Sequence, residues 1–155
     1  MVKSFQGEQI IKKKEIVQQA FLVRDYMAKQ LVTFRPDQSI IEVVNTLLEN
    51  NISGAPVIND KNEVVGVISE GDCLKDIASG KYHNMPLLHG KVEDHMAKNV
   101  IHISPDVSVF EATNMFLEMK LRRFPVLDDN GNLVGQISQR DVLRAVTELK
   151  GDTNH

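Results

Sequence analysis

The strongest constraint on this chain is that it is written twice. The stretch from Val23 to Leu74 returns from Val92 to Leu143 at a constant offset of 69, without a gap. Asp25 and Met27 return as Asp94 and Met96, Pro36-Asp37 as Pro105-Asp106, and Ser39 and Glu42 as Ser108 and Glu111. Pro56-Val57 returns as Pro125-Val126, and the block Val65-Gly66, Ile68-Ser69, Asp72, Leu74 as Val134-Gly135, Ile137-Ser138, Asp141, Leu143. Roughly two-fifths of the paired positions are identical, a self-similarity that takes precedence over any other reading. Two copies are too few for a solenoid, so the expectation is a single pseudo-symmetric domain.

Each copy carries the same run of local signals. Val23–Met27 predicts a short helical turn and Gln30–Phe34 an extended piece that Pro36 stops, because the residue before proline avoids helical dihedrals. Ser39 and Glu42 have capping-box spacing. The helix they open carries Ile40, Val43, Val44, Leu47 and Leu48 as an apolar stripe. Asn50-Asn51 ends it and Gly54 provides the exit. Ala55–Ile58 and Val64–Ile68 read as strands joined by the hairpin residues Asn59–Asn62, and a helix follows from Glu70 to about Ala78. In the second copy Ser108 and Glu111 cap a helix bearing Val109, Ala112, Phe116 and Leu117, with Met115 and Met119 read as core. Strands follow over Phe124–Leu127 and Leu133–Ile137, then a helix over Gln139–Glu148. Strand–helix–strand implies a parallel pair with a crossover, and the hairpin adds an antiparallel neighbour. The fold class is therefore α/β (α+β): two pseudo-symmetric β-α-β-β-α motifs packed sheet to sheet, plus an N-terminal helix. The divisions are 1–22, an extension with an amphipathic helix over Glu8–Phe21; 23–78, the first motif; 79–91, a connector; 92–148, the second motif; and 149–155, a flexible polar tail.

Composition narrows the function. A net charge of −3 argues against a nucleic-acid surface, which needs a basic face. Lys12-Lys13-Lys14 reads as a solvated helix face. No apolar run approaches a membrane span, and the start lacks the apolar region of a signal peptide. The lone Cys73 has no disulfide partner and reads as packing, which suits a cytoplasmic setting. The histidines (His83, His89, His95, His102, His155) lack metal-ligand spacing. No nucleophile elbow, zinc-protease or P-loop pattern occurs, so an enzyme is not expected.

The D-x-M openings (Asp25-Tyr26-Met27, Asp94-His95-Met96), the central Ala55-Pro56-Val57 and Phe124-Pro125-Val126, and the G-x-I-S-x-x-D endings (Gly66–Asp72, Gly135–Asp141) resemble a tandem CBS-domain pair, often called a Bateman module. The resemblance covers about two-thirds of the chain. It implies a stand-alone regulatory protein that binds an adenine nucleotide between the motifs, AMP first with ADP and ATP as alternatives, and signals to a target protein by changing shape. It further implies crosswise sites. Pocket A pairs Ser69 and Asp72 with Val100, Arg122, Arg123, Phe124 and Pro125. Pocket B pairs Ser138 and Asp141 with Leu31, Ser53, Gly54, Ala55 and Pro56, with Arg140 nearby.

The residue types suit those roles. A carboxylate accepts from both hydroxyls of a vicinal diol, and the arginine fork matches phosphate oxygens. A helix opening after Ser-x-x-Asp offers backbone N–H groups to an anion. Pocket A has two arginines but also Glu70, which disfavours several phosphates there. Plainer readings stand beside these: Ser-x-x-Asp is a helix cap in its own right, and Arg122-Arg123 suits a solvated helix end. Two other functions stay open. One is a structural homodimer with empty clefts. The other is a sensor of S-adenosylmethionine, NAD or cyclic di-AMP.

Overall fold

A computed structural model describes residues 21–82 and 89–153. The helix predicted over Glu8–Phe21, its lysine run, His83 and His155 lie outside the described residues, apart from Phe21. The described elements are α1 (Val23–Tyr26), α2 (Ile40–Asn50), β1 (Gly54–Ile58), β2 (Val64–Ser69), α3 (Glu70–Tyr82), α4 (Val92–His95), α5 (Val109–Met119), β3 (Arg123–Leu127), β4 (Leu133–Ser138) and α6 (Gln139–Thr153). They form two compact units. Among the described residues, unit 1 holds 21–29, 102–130 and 134–153, and unit 2 holds 30–82, 89–101 and 131–133.

Local chemistry sets the element bounds. Ser39 Oγ accepts from the Glu42 N–H at 3.3 Å and Ser108 Oγ from the Glu111 N–H at 3.1 Å, so both long helices start where the capping pattern predicts. The exit from α2 is made by Asn51, which adopts the left-handed conformation at φ 52°, and not by Gly54, which simply begins β1. Lys120 makes the matching exit from α5 at φ 55°. In the hairpin, Asn59 Oδ1 accepts from the N–H groups of Lys61 and Glu63 at 3.0 and 2.9 Å, an Asx turn closing on Asn62 at φ 61°. β1 and β2 pair antiparallel, with Gly54 opposite Ser69. Both C-terminal helices outrun their expected ends: α3 reaches Tyr82, and α6 continues through Gly151 to Thr153, where a polar tail was expected.

Each extended piece ahead of α2 and α5 contributes one residue to its sheet. Phe34 donates to the Pro56 carbonyl at 3.0 Å and accepts from the Ile58 N–H at 2.8 Å, a parallel bridge. The next rung would need an N–H at position 56, which proline lacks. Pro125 halts the ladder at Ile103 in the same way.

The main departure from the linear order is an exchange. In unit 1 the Val23 and Arg24 N–H groups donate to the Val107 and Pro105 carbonyls at 2.8 and 3.0 Å. Ala28 and Gln136 then trade both hydrogen bonds, at 2.8 and 3.0 Å. In unit 2 the Val92 and Glu93 N–H groups donate to the Gln38 and Pro36 carbonyls, both at 2.9 Å, and Ala97 pairs with Val67 at 2.9 and 3.0 Å. Thus the opening turn of each copy completes the sheet of the other. Two glycines mark the docking points. A Cβ on Gly66 would lie 2.6 Å from Met96 Sδ and 2.9 Å from the Ala97 carbonyl oxygen; on Gly135 it would lie 2.5 Å from Met27 Sδ and 2.9 Å from the Ala28 carbonyl oxygen.

The cores follow from this. In unit 2, Phe34, Ile40, Val43, Leu47, Ala55, Val57, Ile68 and Cys73 pack together with Val92 from α4. In unit 1, Val23, Ile103, Val109, Ala112, Phe116, Phe124, Val126 and Ile137 are buried, with the Phe116 and Phe124 rings 4.5 Å apart. The predicted stripe is buried at Ile40, Val43 and Leu47, but Leu48 is 75% exposed and its counterpart Leu117 is 72% exposed. Met119, expected in the core, is exposed too, because it lies in the last turn of α5 beyond the face that meets the sheet.

Candidate functional site

The expected binding residues gather at one end of each hairpin. In unit 2, Gly54 pairs with Ser69, and the Glu70 N–H donates to the Ser53 carbonyl at 2.9 Å. Ser53, Gly54, Ala55 and Pro56 therefore lie alongside the Ser69–Asp72 corner where β2 passes into α3. Leu31 and Val100 belong to the same unit and are half-buried. In unit 1 the Gln139 N–H donates to the Arg122 carbonyl at 3.1 Å, and Gln139 Nε2 donates to the Leu121 carbonyl at 3.0 Å. Arg122, Arg123, Phe124 and Pro125 thus flank the Ser138–Asp141 corner. Arg122 and Arg140 are exposed, Arg123 is half-buried, and Phe124 and Pro125 are buried.

Each corner is a capped helix start with one carboxylate oxygen turned elsewhere. Asp72 Oδ2 accepts from the Ser69 N–H at 2.8 Å and from Ser69 Oγ at 3.0 Å. Asp141 Oδ2 accepts from Ser138 at the same two distances, 2.8 and 3.0 Å. The capping role of Ser-x-x-Asp is complete in unit 1, where Ser138 Oγ also accepts from the Asp141 N–H at 3.3 Å, and unit 2 shows its reciprocal half, the Ser69 N–H to Asp72. It also narrows the anion role expected of the helix N-termini. In unit 1 the N–H groups of Ser138, Gln139 and Asp141 already donate to Asp141, the Arg122 carbonyl and Ser138 Oγ.

The second carboxylate oxygens differ. Asp72 Oδ1 lies 3.8 Å from Lys75 Nζ, beyond a hydrogen bond. Asp141 Oδ1 accepts from an Arg144 guanidinium nitrogen at 2.6 Å, and that nitrogen also donates to the Tyr26 carbonyl at 3.3 Å. Both carboxylates are well shielded, with side chains 12% and 13% exposed. Sequence reasoning did not single out Lys75 and Arg144. The signal was available: both copies place a cation three residues after the aspartate. Next to Asp72, the Cys73 thiol is pushed above its ordinary pKa by burial first and then by the charges of Asp72, Asp76 and Glu70. A thiol held protonated is a poor nucleophile, in keeping with packing.

A second polar cluster lies outside the expected sites. His95 Nε2 and Asp76 Oδ1 are 2.8 Å apart in unit 2, with Asp76 fully buried and its Oδ2 without a hydrogen-bond partner. It ties α4 to α3. Among the described residues no group of three His, Cys, Asp or Glu could hold a metal ion. No helix among them is long and apolar enough to cross a membrane.

A duplicated α/β protein results, in which two equivalent units each present a Ser-x-x-Asp corner beside a Pro-Val strand. The chain belongs to the CBS-domain family, with residues 23–79 and 92–148 each matching a CBS domain. Among its relatives, the chloroplastic CBS domain-containing protein CBSX2 of Arabidopsis thaliana is 29% identical over 160 residues, 87% of this chain and 67% of that one. The crystal structure of CBSX2 in complex with AMP matches with a TM-score of 0.74 at 30% identity, over 84% of this chain and 98% of that one. The CBS domain pair of protein MJ0100, solved with 5′-methylthioadenosine and S-adenosyl-L-methionine, matches with a TM-score of 0.68 at 27% identity, over 82% of this chain and 96% of that one. Protein MJ1426 of Methanocaldococcus jannaschii is 31% identical over 168 residues, 88% of this chain and 98% of that one.

Proposed function

We propose that this protein is a non-catalytic regulatory module that binds an adenine nucleotide through Asp72 and Asp141 and relays binding to a target protein. AMP is the first candidate, with ADP and ATP as alternatives. The observation that carries the reading is the Asp72 carboxylate: shielded, fixed through Oδ2 by Ser69, and with Oδ1 outside hydrogen-bond reach of Lys75. A carboxylate anchored on one side is suited to accept the hydroxyls of a ribose on the other. The AMP bound by CBSX2 supports the ligand class. The family resemblance assigns Arg122 and Arg123 to a nucleotide phosphate. That assignment is part of the proposal, and a fall in AMP affinity in Arg123→Met reads it. A second ligand class, S-adenosylmethionine and related thioethers, is favoured by what the MJ0100 pair binds.

We include a homodimer in the reading. Leu48 and Leu117, and Leu74 and Leu143, are counterparts under the repeat, and all four are exposed on α2, α5, α3 and α6. Apolar residues repeated on one helix pair of each unit form the kind of surface that association covers. Light scattering on the purified chain checks it, and a monomer mass would remove this part. A cytoplasmic setting completes the reading, on the unpaired, buried Cys73.

The deciding experiment is a thermal-shift panel with AMP, ADP, ATP, S-adenosylmethionine, NAD and cyclic di-AMP. A ligand at about one hundred times its dissociation constant adds roughly 2.7 kcal/mol to the folded state. Asp72→Ala with Asp141→Ala should abolish the shift while the unliganded melt stays cooperative. A full shift in that double variant would sink the ribose role of both carboxylates.

A further inference from the structure

We propose that Arg144 latches the Asp141 carboxylate and so makes the two Ser-x-x-Asp corners unequal. Ligand fills the Asp72 corner first and reaches Asp141 only by turning Arg144 away, which releases the α1 turn at Tyr26. The inference rests on the reading that both carboxylates take ribose hydroxyls.

The two corners share the same pair of bonds to Oδ2, at 2.8 and 3.0 Å, and differ in what meets Oδ1. At Asp141 a guanidinium nitrogen makes a 2.6 Å charge-assisted bond and uses its other hydrogen on the Tyr26 carbonyl at 3.3 Å. At Asp72 the equivalent residue is Lys75, whose ammonium stands 3.8 Å away on a side chain 75% exposed. A diol arriving at Asp141 therefore competes with a bound cation for the one oxygen the cap leaves over. At Asp72 it competes with a solvated lysine.

The displaced guanidinium has a place to go. A cavity of about 430 Å³ in unit 1 is lined by Asp25, Tyr26, Met27, Arg144 and Glu148. Glu148 stands four residues beyond Arg144 on α6, the spacing at which helical side chains meet. Glu148 Oε2 now accepts from the Tyr26 hydroxyl at 2.6 Å. Turning Arg144 from Asp141 to Glu148 removes its hydrogen bond to the Tyr26 backbone and recruits the carboxylate that Tyr26 uses. Occupancy of Asp141 is thereby coupled to the turn that opens the first copy, all within unit 1.

The test is calorimetric titration of the full chain with AMP, in an Asp72→Ala background that leaves the Asp141 corner alone. Arg144→Met in that background should tighten AMP about ten-fold, the worth of one charge-assisted bond. Arg144→Lys, which installs the arrangement of unit 2, should tighten it by less. In the unliganded protein, hydrogen exchange in peptides spanning residues 23–28 should quicken in Arg144→Met. A structural role alone would lower affinity, so a gain is diagnostic. Unchanged or weaker AMP binding in Arg144→Met would overturn the latch. If AMP binds neither wild type nor any variant, the nucleotide reading has failed on its own account. The latch, which rests on that reading, then falls with it, and hydrogen exchange reads only whether Arg144 holds the α1 turn.

Discussion

Where an opening turn docks on its unit, the two units solve one packing problem with different chemistry. In unit 2 the positions are Gly90, Asp76 and His95; under the offset of the repeat, unit 1 has Phe21, Ala145 and Tyr26. Unit 1 fills the space with an aromatic pair: Phe21 and Tyr26 stack with centroids 5.9 Å apart and planes 9° from parallel, and buried Ala145 leaves room. Unit 2 puts the bulk on the helix instead. Asp76 lies where a side chain at position 90 would begin, so a Cβ on Gly90 would collide with its carboxylate. His95 then supplies the partner that a buried carboxylate requires. A duplicated frame thus tolerates an apolar and an ionisable filling of the same joint, provided all three positions change together.

The largest effect should come from splitting the polar filling. His95→Ala leaves Asp76 buried with neither oxygen partnered, a loss of about 3–5 kcal/mol, read as a fall in the denaturant midpoint. Adding Asp76→Ala, the residue unit 1 uses, should recover part of that loss, because it removes the orphaned group as well. A double variant less stable than His95→Ala would show that the pair is not what holds this joint. The bond from the Tyr26 hydroxyl to Glu148 in unit 1 is exposed and carries only about 1 kcal/mol.

How much of this the sequence disclosed divides along the reach of each interaction. Helix caps at Ser39 and Ser108, the strands around Pro56 and Pro125, and the hairpin turns depend on neighbours a few residues away, and those were legible. The Asn51 exit was half legible: in sequence Asn50-Asn51 reads as the helix end, but the turn reads as belonging to Gly54. The exchange of opening turns was not legible at all. Met27 against Gly135 and Met27 against Gly66 satisfy the same repeated pattern, so duplication states that a methionine meets a glycine but not which one. Leu48 and Leu117 carry the right period for a buried stripe; how far a core reaches along a helix depends on the sheet beneath it, which periodicity does not contain. At the candidate site, the Ser-x-x-Asp corners were visible as motifs. The Arg144–Asp141 bond was not, because Lys75 and Arg144 look alike as charges and differ only in reach.

The glycines offer a smaller and more symmetrical test of the exchange. At Gly66 and Gly135 an added methyl meets a methionine sulfur, which is flexible, and a backbone carbonyl oxygen at 2.9 Å in both units, which is not. The carbonyls belong to Ala97 and Ala28, each already bonded to Val67 or Gln136 beside the glycine, so backing away strains that pair. Gly66→Ala and Gly135→Ala should therefore each cost about 1–3 kcal/mol, the range for overpacking. The exchange makes a stricter claim about where the damage falls. Gly66→Ala should raise hydrogen exchange at Met96–Ala97 and leave Met27–Ala28 as it was, while Gly135→Ala should do the reverse. Damage to the turn of the same copy in both variants would mean that each opening turn docks on its own sheet.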